Sequence, residues 1–369
     1  LKLSPKENIS FDDAIFESIK TPNLQVVVFK NAGLNSSSIQ NFLSSCGLHY
    51  QFIRKVQLCG VDLGEVQWPK NKMPHLEVLT FQASGISTKF LQMVCTAMNE
   101  KLLPAIQDLS FDSEELLERE PIEIKWPKSP IPSLNTFEIS NVAMHLKGFM
   151  NMVGTQVFPN VQEISVNGAG ALGTLWPRRT LKKLSCIQFG LAKEAQSLFQ
   201  SILTVLKAGC LPVIKVIEIS NTCTQIVNKG SLEWPCCTMN KLEKLSLCNM
   251  AIDHAFIKSI CIALESNQLP TVRTLSLHAS NLAENDFTDN VRWPQVKLTS
   301  LEVLHITNVT ITSGFVQSLC TAMGTNKLPQ MKNVKLVSKS AEVDKSYHPD
   351  EKSWLMERMN KLETIHLEN

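Results

Sequence analysis

Residues 301–336 read LEVLHITNVTITSGFVQSLCTAMGTNKLPQMKNVKL. Leu301, Leu304 and Ile306 form an L-x-x-L-x-L run. Ile311 follows, and Phe315, Leu319 and Met323 then recur at helical spacing. Leu328-Pro329 ends that segment, and Met331, Val334 and Leu336 open the same run again. A short extended run, a helix and a second identical run make a unit that cannot bury its apolar face alone. Such units stack on copies of themselves.

Aligning the chain on the first apolar residue of each run gives Leu24, Ile53, Leu76, Ile106, Leu134, Val161, Leu181, Ile214, Leu242, Val272, Leu301, Met331 and Leu362. Most intervals fall between 27 and 31 residues; those of 23 after Ile53, 20 after Val161 and 33 after Leu181 depart from the rest. In each run, positions 1, 4 and 6 are apolar and point to a core. Positions 2, 3, 5 and 7 lie on the other side of the strand.

A longer beat is superimposed. Trp-Pro recurs at Trp68, Trp126, Trp176, Trp234 and Trp293, and Trp354 extends the series at spacings of 58, 50, 58, 59 and 61. Pro104, Pro159, Pro212, Pro270 and Pro329 precede the alternate runs. Two kinds of repeat therefore alternate. One carries an amphipathic helix, such as Phe90, Leu91, Val94, Cys95 and Met98 on one side with Gln92, Thr96 and Asn99 elsewhere. The other replaces much of the helix with a polar loop. Its Trp fills the gap between layers and its Pro fixes φ ahead of the next strand. The expected architecture is α/β: one solenoid over residues 1–369, of about 13 repeats, with parallel strands on a concave face and helices and loops on a convex face. Residues 1–22 read as the tail of a preceding repeat, with Phe11, Ile15, Phe16 and Ile19 at helical spacing. Neither end has the atypical repeat that caps a solenoid, so the chain is expected to be a fragment of a longer one.

Composition narrows the function classes. The net charge is +2 with 19% charged residues, which argues for neither a nucleic-acid nor a membrane partner. No apolar run approaches the roughly 20 residues of a membrane span. The 11 Cys are odd in number, and Cys95, Cys261 and Cys320 take equivalent helix positions as small hydrophobes. That usage fits a reducing, cytoplasmic setting. The sequons at Asn8, Asn35 and Asn308 are the one feature pointing to secretion.

The alternation of two repeats of nearly equal length with an outer helix resembles leucine-rich repeats of the ribonuclease-inhibitor type, over nearly the whole chain. That family usually has Asn or Cys at position 9. Here position 9 holds Ala32, Ser84, Val142, Met250, Ser280 and Val309, and Asn stands one place earlier at Asn31, Asn141, Asn221, Asn249 and Asn308. These Asn are placed to satisfy backbone groups where the chain leaves the strand. The pattern is similar to the C-terminal repeat region of NOD-like innate immune receptors. That resemblance implies a non-catalytic module that senses a ligand or holds the receptor shut against its other domains. Alternatives of the same repeat type are the substrate-recruiting region of an F-box ubiquitin ligase subunit and a ribonuclease-inhibitor-like protein inhibitor.

Chemistry-bearing motifs are few. Gly168-Ala-Gly170-Ala-Leu-Gly173 matches G-x-G-x-x-G after a strand, but Trp176-Pro177 follows where a pyrophosphate-binding helix should open. It reads as a small-residue turn, and no cofactor is expected. Cys236-Cys237 has no C-x-x-C partner for a metal site. No Walker A, G-x-S-x-G or H-E-x-x-H pattern occurs, so an enzyme is not expected.

What remains is the exposed strand face. Its early strands carry Asp108, Asp112, Glu138 and Glu163, with Glu218 on a middle strand, and its late strands carry Arg273, His278, His305, Lys332 and Lys335. Those last five are the candidate binding residues, for a protein or peptide ligand on the concave face or for other domains of a longer chain. Glu302 shares position 2 with Arg273 and Lys332, and pairing with both would neutralise part of the patch.

Overall fold

The computed structural model describes residues 2–3, 23–30, 35–46, 48–63, 65–115, 123–142, 145–169, 175–191, 195–222, 232–280, 291–309, 311–338 and 364–368. It divides into two compact units, Leu1–Pro177 and Arg178–Asn369. In the first unit the strands are β1 (Lys2–Leu3), β2 (Val26–Lys30), β3 (Lys55–Asp62), β4 (Val78–Gly85), β5 (Asp108–Glu115), β6 (Thr136–Ser140) and β7 (Glu163–Ala169). Each pairs in parallel with its neighbour in sequence. Helices α1 (Ser36–Cys46), α2 (Thr88–Asn99) and α3 (Leu146–Gly154) follow β2, β4 and β6. The second unit repeats the plan. Its parallel strands are β8 (Cys186–Leu191), β9 (Val216–Asn221), β10 (Lys244–Met250), β11 (Thr274–Ala279), β12 (Val303–Val309), β13 (Asn333–Ser338) and β14 (Thr364–Glu368). Helices α4 (Ala195–Lys207), α5 (His254–Glu265) and α6 (Ser313–Gly324) follow β8, β10 and β12. The chain is an α/β repeat solenoid in which helix and loop repeats alternate. No helix among the described residues is long and apolar enough to cross a membrane.

The period-2 pattern makes the strands. Positions 1, 4 and 6 are buried in repeat after repeat: Leu242, Leu245 and Leu247 are 0% exposed, and so are Leu76, Leu79 and Phe81. Each such side chain stabilises the fold by about 1.5–3 kcal/mol relative to exposure. Equivalent residues stack in register, Leu245 beside Leu275 and Leu275 beside Leu304, so the core runs continuously through a unit.

Local signals start and stop the helices. Ser87, Asp253 and Thr312 accept hydrogen bonds from the N–H of Phe90, Phe256 and Phe315, three residues on. At the other end Lys101, Asn267 and Asn326 adopt φ of 59°, 56° and 56°. There the N–H of Leu102, Gln268 and Lys327 reaches back to Ala97, Ala263 and Ala322 at 2.9, 2.8 and 2.9 Å, closing a Schellman motif. The carbonyl of this last residue then takes an N–H from the preceding loop repeat. Met73 binds Leu102, Met239 binds Gln268 and Leu298 binds Lys327, at 2.8, 2.7 and 2.8 Å.

This contact corrects one strand start. Leu181 makes the same bond, to the Cys210 carbonyl at 2.9 Å, so it occupies the tie position and not position 1. The pairing of Cys186 with Val216 puts position 1 at Leu184, which is 0% exposed. The corrected intervals are 23 after Val161 and 30 after Leu184. Every Trp from Trp68 to Trp293 then stands eight residues before a strand start: Leu76, Leu134, Leu184, Leu242 and Leu301. The short strand β1 is a further addition to the expected starts, whereas the helix expected from Phe11 to Ile19 lies outside the described residues.

The tryptophans fill the space expected of them. Trp68, Trp126, Trp176, Trp234 and Trp293 are 7%, 8%, 2%, 2% and 2% exposed. Trp126 packs edge-on to Phe137 and Phe149, with centroids at 5.8 and 5.3 Å. Helix side chains hold the loops in place. Ser259 Oγ and Ser318 Oγ accept from the N–H of Trp234 and Trp293 at 2.8 and 2.7 Å, while donating to their own helix carbonyls. In the first unit Gln92 clamps Lys125 through both amide atoms.

Asparagine at position 8 also finds its role. Asn141, Asn249 and Asn308 take φ of 56°, 54° and 59°. Their Nδ2 groups donate to the carbonyls of Ser113, Asn221 and Ala279, the position-8 residues of the preceding repeats, at 2.9, 3.1 and 3.3 Å. Asn31 lies outside the described residues. Gly60 and Gly168 take the same left-handed turn at position 8, with φ of 68° and 76°. Gly168, the first glycine of the apparent dinucleotide fingerprint, is therefore the turn residue of a loop repeat. A Cβ there would stand 2.9 Å from Asn141 Oδ1. Gly170 and Gly173 lie outside the described residues, and residues 175–185 form no helix.

Candidate binding surface

The exposed strand face of the second unit is built in rows, because equivalent positions on parallel strands stack about 4.8 Å apart. Row 2 runs Lys215, Glu243, Arg273, Glu302, Lys332, alternating in charge at each step. Neighbours pair: Lys215 with Glu243 at 3.7 Å, Arg273 with Glu302 at 3.7 Å, and Lys332 with Glu302 at 2.6 Å. Glu302 thus bridges Arg273 and Lys332. The Lys332 hydrogen bond holds the Glu302 carboxyl below the usual carboxylate range; partial burial opposes this, and the Lys332 and Arg273 charges add to it. These pairs are solvent-exposed and contribute little to stability. Their effect on the surface is to leave row 2, with three cations and two carboxylates, a single net positive charge. On β9 and β10 Glu218 likewise pairs with Lys244.

Rows 5 and 7 differ. Row 5 places Ser246, Ser276, His305 and Lys335 side by side, and row 7 places Cys248, His278 and Thr307. His278 Nδ1 lies 2.6 Å from Thr307 Oγ1, and His305 Nε2 lies 3.2 Å from Asn333 Oδ1. Because an amide oxygen only accepts, His305 donates from Nε2. The two rings meet edge-on, with centroids at 6.4 Å. Burial, then His305, then Lys335 hold His278 below the ordinary histidine range. Lys335 makes no ion pair among the described residues. Of the five residues singled out by spacing, the structure thus gathers His278, His305 and Lys335 into one cluster and ties Arg273 and Lys332 to Glu302.

The strand face of the first unit carries Asp108, Glu138 and Glu163 on β5, β6 and β7, and Ser110 Oγ donates to Glu138 Oε2 at 2.9 Å. Asp112 lies on β5 in register with Ser140.

Elsewhere the chemistry is sparse. Cys46 and Cys95 are free and buried, and burial pushes both thiols far up. Burial, with Glu265 beside it, pushes Cys261 up to about 12. Such thiols are inert packing groups. Cys320, expected in the same core position, is only partly covered. Cys236 is exposed at the rim of a cleft of about 290 Å³ lined by α4 and residues 233–236. Among the described residues no three His, Cys, Asp or Glu side chains are grouped to hold a metal ion. No family model and no curated protein matches the chain.

Proposed function

We propose that the chain is a non-catalytic leucine-rich-repeat recognition module whose strand face binds a protein or peptide partner. The observation that carries this reading is the contrast on the second unit. A row in which every cation is engaged by a carboxylate borders a cluster of His278, His305 and Lys335 that has no carboxylate pairing with it among the described residues. A merely solvated face needs no such segregation, and uncompensated charge on a rigid sheet steers a complementary partner. The resemblance to NOD-like receptor repeats makes this a sensor or autoinhibitory region in a cytoplasmic protein. The free, buried thiols support that compartment.

The test is a display selection of random peptides on the whole chain. Selected peptides are expected to be acidic and to lose affinity as salt rises. Lys335→Glu is expected to weaken them roughly tenfold or more. Lys332→Glu should act less, since Lys332 is already engaged with Glu302. Peptides that bind wild type and Lys335→Glu alike would move the recognition surface off this face.

A further inference from the structure

We infer that His278, His305 and Lys335 form a proton-gated dock for an acidic peptide segment of a partner protein. The inference rests on the recognition reading above and deepens it by naming the partner's chemistry and the condition under which it binds.

The geometry of three neighbouring strands carries it. His305 on β12 and Lys335 on β13 are adjacent in row 5, and His278 on β11 meets the His305 ring. Among the described side chains, those flanking this cluster in rows 5 and 7 of β10 to β13 include no carboxylate. From β10 come Cys248 and Ser246, from β11 Ser276, from β12 Thr307, and from β13 Asn333 and Val337. β14 brings His366 into register with Lys335, and Glu368 into register with Val337, one strand from Lys335 and three from His278. Glu302, on the strand of His305, is taken by Lys332 and Arg273, and Glu218, farther along row 5 on β9, by Lys244. The hydrogen bonds to Thr307 and Asn333 fix the rings in place, so a ligand meets a preformed arrangement.

In the free protein burial, and after it the neighbouring His305 and Lys335, make His278 take its proton at lower pH than an unfolded histidine does. Its contribution to stability is complete above the ordinary histidine value and is lost as pH falls through the depressed one. A bound carboxylate reverses the sign. It stabilises both imidazolium ions, raises their affinity for protons, and so binds more tightly as pH falls. A run of Asp or Glu along the rows fits this requirement better than a single anion, because the charges are spread over three strands.

The experiment uses the whole chain and a fluorescent oligoaspartate peptide, whose carboxyls stay ionised across the range. Affinity is expected to rise roughly tenfold from about pH 7.5 to about pH 5.5. The rise should vanish when His278→Gln and His305→Gln are combined, while Lys335 keeps residual binding. Gln retains a hydrogen-bonding side chain, and NMR of the wild-type His278 ring provides a second reading: the peptide should move its titration midpoint upward. Binding that ignores pH, or a pH effect that survives the double substitution, overturns the proton gate and leaves the recognition module standing. Failure of oligoaspartate to bind at any pH overturns the acidic partner. The recognition reading is judged separately, by whether Lys335→Glu weakens the binding of selected peptides.

Discussion

Asn249 holds a left-handed backbone and ties it to the repeat before, through its amide on the Asn221 carbonyl. The two roles separate by substitution. Asn249→Gly keeps the φ of 54° at no steric cost and loses the bond; Asn249→Ala loses the bond and strains the backbone. Chemical denaturation is expected to show a loss of about 1 kcal/mol for Gly and about 2–3 kcal/mol for Ala. Equal losses would mean that the hydrogen bond alone matters. The asparagines were visible at position 8 in the sequence, and so was a need to satisfy backbone groups there. The left-handed turn was not, because Asn, Gly, Ser and Ala all occupy position 8 in one repeat or another, and only the backbone shows which of them turn. The binding residues divide in the same way. Strand arithmetic put Arg273, Glu302 and Lys332 in one row, but which carboxylate each cation selects is decided by side-chain rotamers. The bond from His278 to Thr307 likewise crosses between strands, and spacing does not specify it.

At the scale of elements, the helix and loop repeats are fitted to one another through their outer surfaces. Gly148 in α3 illustrates the fit. An alanine would ordinarily stabilise a helix interior by about 1 kcal/mol over glycine. Here its Cβ would stand 2.9 Å from Trp126 Cδ1, and that ring is held between Phe137 and Phe149. Gly148→Ala is therefore expected to destabilise by about 1–3 kcal/mol, as overpacking does. A thermal shift upward would show that the ring has room to move. Most elements were legible because apolar spacing of two and of three to four is imposed by burial. The exception was Leu181. It is apolar, it lies three residues before Leu184, and run spacing alone does not tell a tie residue from a strand residue. The constant eight residues from Trp to strand start distinguishes them, a signal present in the sequence and independent of the run itself.

Over the whole molecule, stability within each unit is carried between neighbouring repeats. Leu304 is 0% exposed and stacks between Leu275 and Val334. Leu304→Ala is expected to cost about 2–5 kcal/mol. Hydrogen exchange should quicken in the strands on both sides, β11 and β13, as well as in β12; protection lost in β12 alone would contradict coupling between repeats. The loop repeats add a second property. Their lengths run from 23 to 31 residues, yet the stretch from Trp to the next strand never departs from eight. All the variation is confined upstream of the tryptophan, between position 8 and the ring. Each loop repeat is thus a segment of variable length followed by a fixed-length ruler. Sequence inserted or grafted into the variable segment is expected to leave the frame of every strand unchanged, while a single residue added or removed within the ruler would turn the following strand's core side chains to water.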